Sequence, residues 1–192
     1  ITHANAQQWA TDYDEKTPQE ILALVLDNFD NAAISFSGAE DVVLIDMAAK
    51  LGKPFRVFSL DTGRLHAETY QFIEKVRNHY KVAIEICFPE SAQVQEMVNA
   101  KGMFSFYVDD HKECCTVRKV APLKKKLSTL DAWVTGQRKD QSPGTRLAVP
   151  VVQADAAFSG AGKQLIKFNP LSNWTSAQVW DYIRTNEVPY NA

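Results

Sequence analysis

A chain of 192 residues, 45% hydrophobic and 23% charged, is long enough to bury one ordinary core and carries no bias toward disorder. Its net charge of −2 excludes a bulk attraction to nucleic acid or to an anionic membrane, so any anion site must be local. No apolar run reaches the roughly 18 residues of a membrane span, and the opening Ile1-Thr2-His3-Ala4-Asn5 lacks the basic and apolar regions of a secretory leader.

Residues 1–16 are polar with scattered apolar positions and give little helical periodicity. The first firm helix is 18–29: Thr17 can cap it, Pro18 takes the first helical position, and Glu20 completes a capping box. Residues 31–37 read as a short strand that runs into Ser37-Gly38. A helix over 40–50 follows, with Val42, Val43, Ile45 and Met47 inward and Gly52 as its stop.

The alternation continues with a strand at 55–60, a turn at Asp61-Thr62-Gly63, a helix at 65–80 and a strand at 82–88. A helix over 91–100 should stop at Gly102. Another should start near Asp110–Glu113, carry Cys114 and Cys115 in its early turns and end near Leu127. A strand at 131–135 and a polar loop at 136–148 come next. Val149–Gln153 and Gln164–Phe168 can pair as a hairpin. Thr175 caps a final helix, 176–185, with Val179, Trp180 and Ile183 inward. No repeat or linker interrupts the pattern, so 1–192 reads as one α/β domain: a mainly parallel twisted sheet with helices on both faces and a small antiparallel hairpin near 149–168.

In such sheets ligands bind at the carboxyl ends of the strands, which singles out the turns at 35–41, 60–64 and 135–146. Ser35-Phe36-Ser37-Gly38-Ala39-Glu40-Asp41 offers hydroxyls, a glycine and a helix N-terminus, all suited to a phosphate. A serine cap before a tight turn explains the same residues equally well. The GxxxxGK[ST] phosphate loop is missing. Leu60-Asp61-Thr62-Gly63 can be a plain helix cap. Thr135 to Arg146 can be a solvated surface, although the planar fork of Arg146 suits a pair of phosphate or sulfate oxygens. His66 and His79 read as helix-surface residues, and Cys87 as a buried strand residue.

The three cysteines are no disulfide framework and fit a reducing, cytoplasmic setting. Cys114 and Cys115 are adjacent and lie among His111, Lys112, Arg118, Lys119 and Lys124–Lys126. Two incidental thiols, a redox dithiol, and ligands of a metal or cluster all remain open. The dithiol is the weakest of the three, because vicinal pairing is strained. Neighbouring cations would stabilise thiolates in the third case.

Taken together these segments carry a resemblance. Ser-x-Ser-Gly-Ala-x-Asp after a first strand resembles the modified PP-loop of the adenine-nucleotide alpha-hydrolase-like superfamily, and Leu60-Asp61-Thr62-Gly63 matches the turn that lies beside the nucleoside there. Ala39 and Val42 depart from the Ser-Gly-Gly-x-Asp-Ser of ATP-cleaving members, and that departure resembles the sulfonucleotide reductases. The phrase Cys114-Cys115-x-x-Arg118-Lys119-Val120-x-Pro122-Leu123, the Thr-Gly-x-Arg-x-x-Gln-Ser at 135–142 and the Phe168-Asn169-Pro170-Leu171 segment are similar to assimilatory adenylyl-sulfate reductases.

The resemblance implies thioredoxin-dependent reduction of adenosine 5′-phosphosulfate to sulfite and AMP through a cysteine S-sulfonate. It also implies a [4Fe-4S] cluster, with Cys114 and Cys115 as two ligands, and a homo-oligomer with neither nucleic-acid nor membrane partners. The nucleophilic cysteine and a Cys-x-x-Cys are expected beyond Ala192. Ser35, Ser37 and Gly38 would hold the nucleotide, Leu60, Asp61, Thr62 and Gly136 would line the adenosine, and Lys119 with Arg146 would meet the phosphosulfate. The alternatives are reduction of the 3′-phosphorylated nucleotide and an ATP-dependent adenylating enzyme of the same superfamily.

Overall fold

A computed structural model describes residues 3–103, 116–141, 149–155, 159 and 164–191. The second helix begins where its capping chemistry places it. In α2 (Pro18–Asn28) the Glu20 N–H donates to Thr17 Oγ1 at 3.2 Å, and the Thr17 hydroxyl donates to Glu20 Oε1 at 3.1 Å. α3 (Ala39–Leu51) ends at Gly52, whose φ of 71° is the left-handed stop that a residue without Cβ takes freely. α4 (Ala67–Tyr80) and α5 (Ser91–Lys101) start without a side-chain cap; α4 stops at Lys81, left-handed at φ 51°, and α5 at Gly102. A helix α1 (His3–Asp12) also forms, though its sequence shows little periodicity. It is held by tertiary packing: Ala6 is buried, and the Trp9 ring lies against those of Phe29 and Phe168.

Six strands make one sheet in the order β3-β2-β1-β4-β6-β5, comprising β1 (Ala32–Ser35), β2 (Val57–Leu60), β3 (Ile84–Cys87), β4 (Ala132–Val134), β5 (Val152–Ala154) and β6 (Ile166–Phe168). All pairings are parallel except β5 with β6, where Val152 faces Phe168 and Ala154 faces Ile166. Successive residues feed opposite faces. Ile34, Val57, Val134 and Phe168 join the larger apolar cluster with α2 and α3, while Ala33, Phe58, Trp133 and Leu165 join a second one with Leu127 and Leu130. Phe58 is fully buried, and its truncation to alanine should cost about 3–5 kcal/mol.

One buried polar node ties three helices together. The Asp46 carboxylate of α3 accepts from the Tyr80 hydroxyl of α4 at 2.9 Å and from the Tyr182 hydroxyl at 2.6 Å. Tyr182 belongs to α7 (Ser176–Thr185), and Lys50 adds an ion pair to Asp46 at 2.8 Å. Burial first, and then the bond to Asp46, push both phenols above their ordinary range.

Three sequence expectations need correction. The long helix ending near Leu127 is not continuous: Thr116–Val120 forms a π-helical turn that leads into α6 (Ala121–Leu127). Pro122 has no N–H for an i−4 bond in an unbroken helix, and the wider turn relieves its ring. The part of that helix expected to carry Cys114 and Cys115 lies outside the described residues. Trp180 is not inward but 37% exposed, and its ring meets Tyr190 edge-on at 5.7 Å. Cys87 is half-buried, because β3 is an edge strand. Among the described residues no helix is long and apolar enough to cross a membrane.

Candidate active site

The strand order changes direction between β1 and β4, and at the carboxyl ends of β1, β2 and β4 the turns leave a cleft of about 410 Å³. Ser35, Ser37, Gly38, Leu60, Thr62, Lys119 and Gly136 all line it. Phe36, Leu65, Leu123 and Trp133 give it apolar walls, and Glu40, Asp41, Gln137 and Gln141 add polar ones. Arg146, Cys114 and Cys115 lie outside the described residues. Asp61 does not line this cleft. Its carboxylate accepts from the Gly63 N–H at 2.8 Å and from the Tyr70 hydroxyl at 2.7 Å, so it shapes the turn from behind.

The first turn is organised by Asp41, a residue the sequence reading left without a role. Its Oδ2 accepts from the Ser37 N–H at 2.7 Å, the Gly38 N–H at 2.9 Å and the Ser37 hydroxyl at 3.1 Å. Gly38 is the cap residue, with extended backbone, and no serine caps the helix. The signal was present: an acid three residues after a cap position can reach back to the cap's N–H. Burial pushes the Asp41 carboxyl up to about 6, against the opposing pull of the Ser37 and Gly38 bonds, and Glu40 adds to the rise.

The second turn is closed by another residue without an assigned role. Arg118 is buried, and its Nη1 donates to the Thr62 carbonyl at 2.8 Å. Gly63, at φ +76°, leaves room for that guanidinium, since a Cβ there would stand 3.0 Å from Nη1. Arg118 thus fixes the turn, while its neighbour Lys119 is left to face the cleft. Among the described residues Lys119 is the one cation lining it.

On the third turn the buried Arg138 pairs with Glu40 at 3.0 Å and with Asp140. Asp140 in turn accepts from the Ser176 N–H at the start of α7, at 2.9 Å. Arg138 is therefore committed to protein carboxylates and neutralises the Glu40 charge at the cleft wall. Among the described residues no group of three or more His, Cys, Asp or Glu side chains could hold a metal ion.

A mainly parallel sheet with its cleft at the strand-order switch, and a single lining cation among the described residues, defines an α/β protein with a ligand cleft at the carboxyl ends of its strands. Residues 31–192 match the phosphoadenosine phosphosulfate reductase domain family, and the chain belongs to that family. It is 56% identical over 184 residues to an adenosine 5′-phosphosulfate reductase of Pseudomonas aeruginosa (strain LESB58), covering 95% of this chain and 69% of that protein. It is 52% identical over 189 residues to 5′-adenylylsulfate reductase 1, chloroplastic, of Arabidopsis thaliana, covering 96% of this chain and 41% of that one. The crystal structure of a phosphoadenylyl-sulfate reductase from Candida auris in a phosphate complex superposes with a TM-score of 0.82 at 28% identity, over 100% of this chain and 90% of that chain. A U34-tRNA thiolase of Methanococcus maripaludis with its [4Fe-4S] cluster shares the fold alone, with a TM-score of 0.58 at 13% identity, over 99% of this chain and 70% of that one. The family expected from the motifs is the family found, and so is the fold class.

Proposed function

We propose that this chain forms the nucleotide-binding and phosphosulfate-binding part of an adenylyl-sulfate reductase, which converts adenosine 5′-phosphosulfate to sulfite and AMP in sulfate assimilation. The observation that carries the reading is the gathering of Ser35, Ser37, Gly38, Leu60, Thr62, Gly136 and Lys119 around one cleft, in a chain 56% identical to a protein of that name. Ser35, Ser37 and Gly38 hold the phosphate end. Leu60, Thr62 and Gly136 line the adenosine, with Asp61 setting the turn behind them, and Lys119 with Arg146 meets the phosphosulfate.

The chemistry follows from charge. A cysteine thiolate attacks the sulfate sulfur, the bond to the AMP oxygen breaks, and the sulfur stays on the enzyme as an S-sulfonate. A thioredoxin dithiol then releases sulfite and leaves as the disulfide. A thiolate approaching an anion needs a cation to offset repulsion and to stabilise the leaving phosphate, and the cleft-lining Lys119 supports the reading that it supplies that charge. Cys87 is not the nucleophile: it lies in a separate groove beside Glu85 and Lys126, and burial pushes its thiol up.

Cys114 and Cys115 fit one half of a [4Fe-4S] donor set, which needs four thiolates. When bound, the cluster would polarise the Lys119 region rather than supply the electrons. Visible absorption of anaerobically purified full-length protein, lost in Cys115→Ser, tests that assignment; a colourless wild type overturns it. A soluble, reducing compartment suits these thiols.

A second reading has its own support, since the Candida auris structure of the same fold is a reductase for the 3′-phosphorylated nucleotide. Sulfite release from both nucleotides under the same conditions decides between them. Preference for adenosine 5′-phosphosulfate supports the first reading, and turnover of the 3′-phosphorylated form alone supports the second.

A further inference from the structure

Gln137 is a cleft-lining residue to which no role has fallen. It follows Gly136 at the carboxyl end of β4, and its half-buried side chain does not hang free. Lys167 of β6 places its Nζ 3.0 Å from Gln137 Oε1. An ammonium group has donors only, so the amide must present its oxygen to Lys167 and turn its NH₂ the other way. Among the described residues no acceptor meets that NH₂.

Lys167 is itself held. Its Nζ lies 5.2 Å from the centre of the Trp133 ring, within cation–π range. Trp133 is fixed in turn by its indole N–H, which donates to Asp155 Oδ2 at 3.0 Å. The Gln137 backbone is steadied by a long bond from its N–H to Thr135 Oγ1 at 3.4 Å. Asp155, Trp133 and Lys167 thus form a rigid chain behind the amide. A donor set in advance costs less entropy on binding than a freely rotating glutamine.

We infer that Gln137 is a further nucleotide-binding residue, its NH₂ held toward the cleft by Lys167 to donate to an oxygen or ring nitrogen of the bound nucleotide. Lys167 is a positioning residue that acts through Gln137. The inference rests on the reading of the cleft as a nucleotide site and deepens it.

Calorimetric titration of the full-length protein with AMP tests it through Gln137→Met, Lys167→Met and the double variant. Gln137→Met should weaken AMP binding about 10-fold, the range of one neutral hydrogen bond. Lys167→Met should weaken it about 3- to 5-fold by releasing the amide, and Lys167→Arg should restore most of that. The double variant should bind no more weakly than Gln137→Met alone, because Lys167 works only through the amide. Independent losses that multiply in the double variant would overturn the relay, and single variants that bind like the wild type would overturn the role of Gln137. If Lys167→Met does not fold, Gln137→Met and Lys167→Arg carry the same decision: a full loss in the first with near wild-type binding in the second supports it, and any other pattern overturns it. A wild type that does not bind AMP at all removes the nucleotide reading itself, an outcome distinct from unaffected variants.

Discussion

Gly136 packs directly on Asp41: a Cβ at position 136 would overlap the Asp41 Oδ1 atom and come within 2.9 Å of the Glu40 Cβ. The turn after β4 and the turn after β1 are therefore in backbone-to-side-chain contact across the cleft. Glycine at 136 is required by this approach. Gly136→Ala must push Asp41 off the Ser37 and Gly38 N–H groups, and it should destabilise the protein by about 1–3 kcal/mol. It should also weaken AMP binding by about 10-fold or more, a loss of one to two hydrogen bonds. Denaturant midpoints and calorimetry check both, and an alanine variant with wild-type values of each would refute the contact.

Asp41 makes the stability depend on pH with a definite sign. Its carboxyl rises from an ordinary 3.8 to about 6 in the folded protein, chiefly through burial. The folded state therefore holds a proton that the unfolded chain gives up. This contribution is full below pH 3.8, falls as pH rises and is gone above about pH 6. Its size is on the order of 3 kcal/mol. Stability measured from pH 4 to 7 should fall more in the wild type than in Asp41→Asn. Parallel curves would show that Asp41 titrates normally.

The Asp46 node predicts a stability effect far from the cleft. Asp46→Ala leaves the Tyr80 and Tyr182 hydroxyls and Lys50 without their shared acceptor, and it should cost about 3 kcal/mol. Tyr182→Phe removes one donor and should cost about 1–2 kcal/mol. Urea unfolding monitored by the tryptophans reads both. Two changes smaller than about 0.5 kcal/mol would mean that the node does not fasten α7 to α3.

Most of the fold could be read from the sequence, because it is written in local terms. Thr17, Pro18 and Glu20 mark a helix start, Gly52 a stop, and the short apolar runs around Ile34, Val57 and Val134 are buried parallel strands. The misses are non-local. The Trp180 ring packs on Tyr190, a residue beyond the end of α7. The π-helical turn at 116–120 answers Pro122 and the Arg118 bond to Thr62, which lies 56 residues away in the chain. The turns of the cleft were recognisable by their residue types. The couplings between them, Asp41 with Gly136, Glu40 with Arg138 and Lys167 with Gln137, join distant segments and leave no periodic trace.

Lys119 is the side chain on which the proposed chemistry leans most. As the lining cation among the described residues, it should matter more as negative charge builds on the leaving phosphate than in simple nucleotide binding. Lys119→Ala should lower kcat/KM for adenosine 5′-phosphosulfate by on the order of 100-fold. AMP affinity should fall by much less. Unchanged turnover together with unchanged substrate affinity would remove Lys119 from the site.

The central claim is that this cleft presents adenosine 5′-phosphosulfate to a thiolate. The most direct measurement follows AMP and sulfite separately after the full-length protein is mixed with that nucleotide, first without and then with reduced thioredoxin. Without the reductant, AMP should appear to the extent of one equivalent per active site while sulfite stays on the protein, and added thioredoxin should then release the sulfite. Sulfite appearing together with AMP before any reductant is added, or no AMP release at all, would contradict the account.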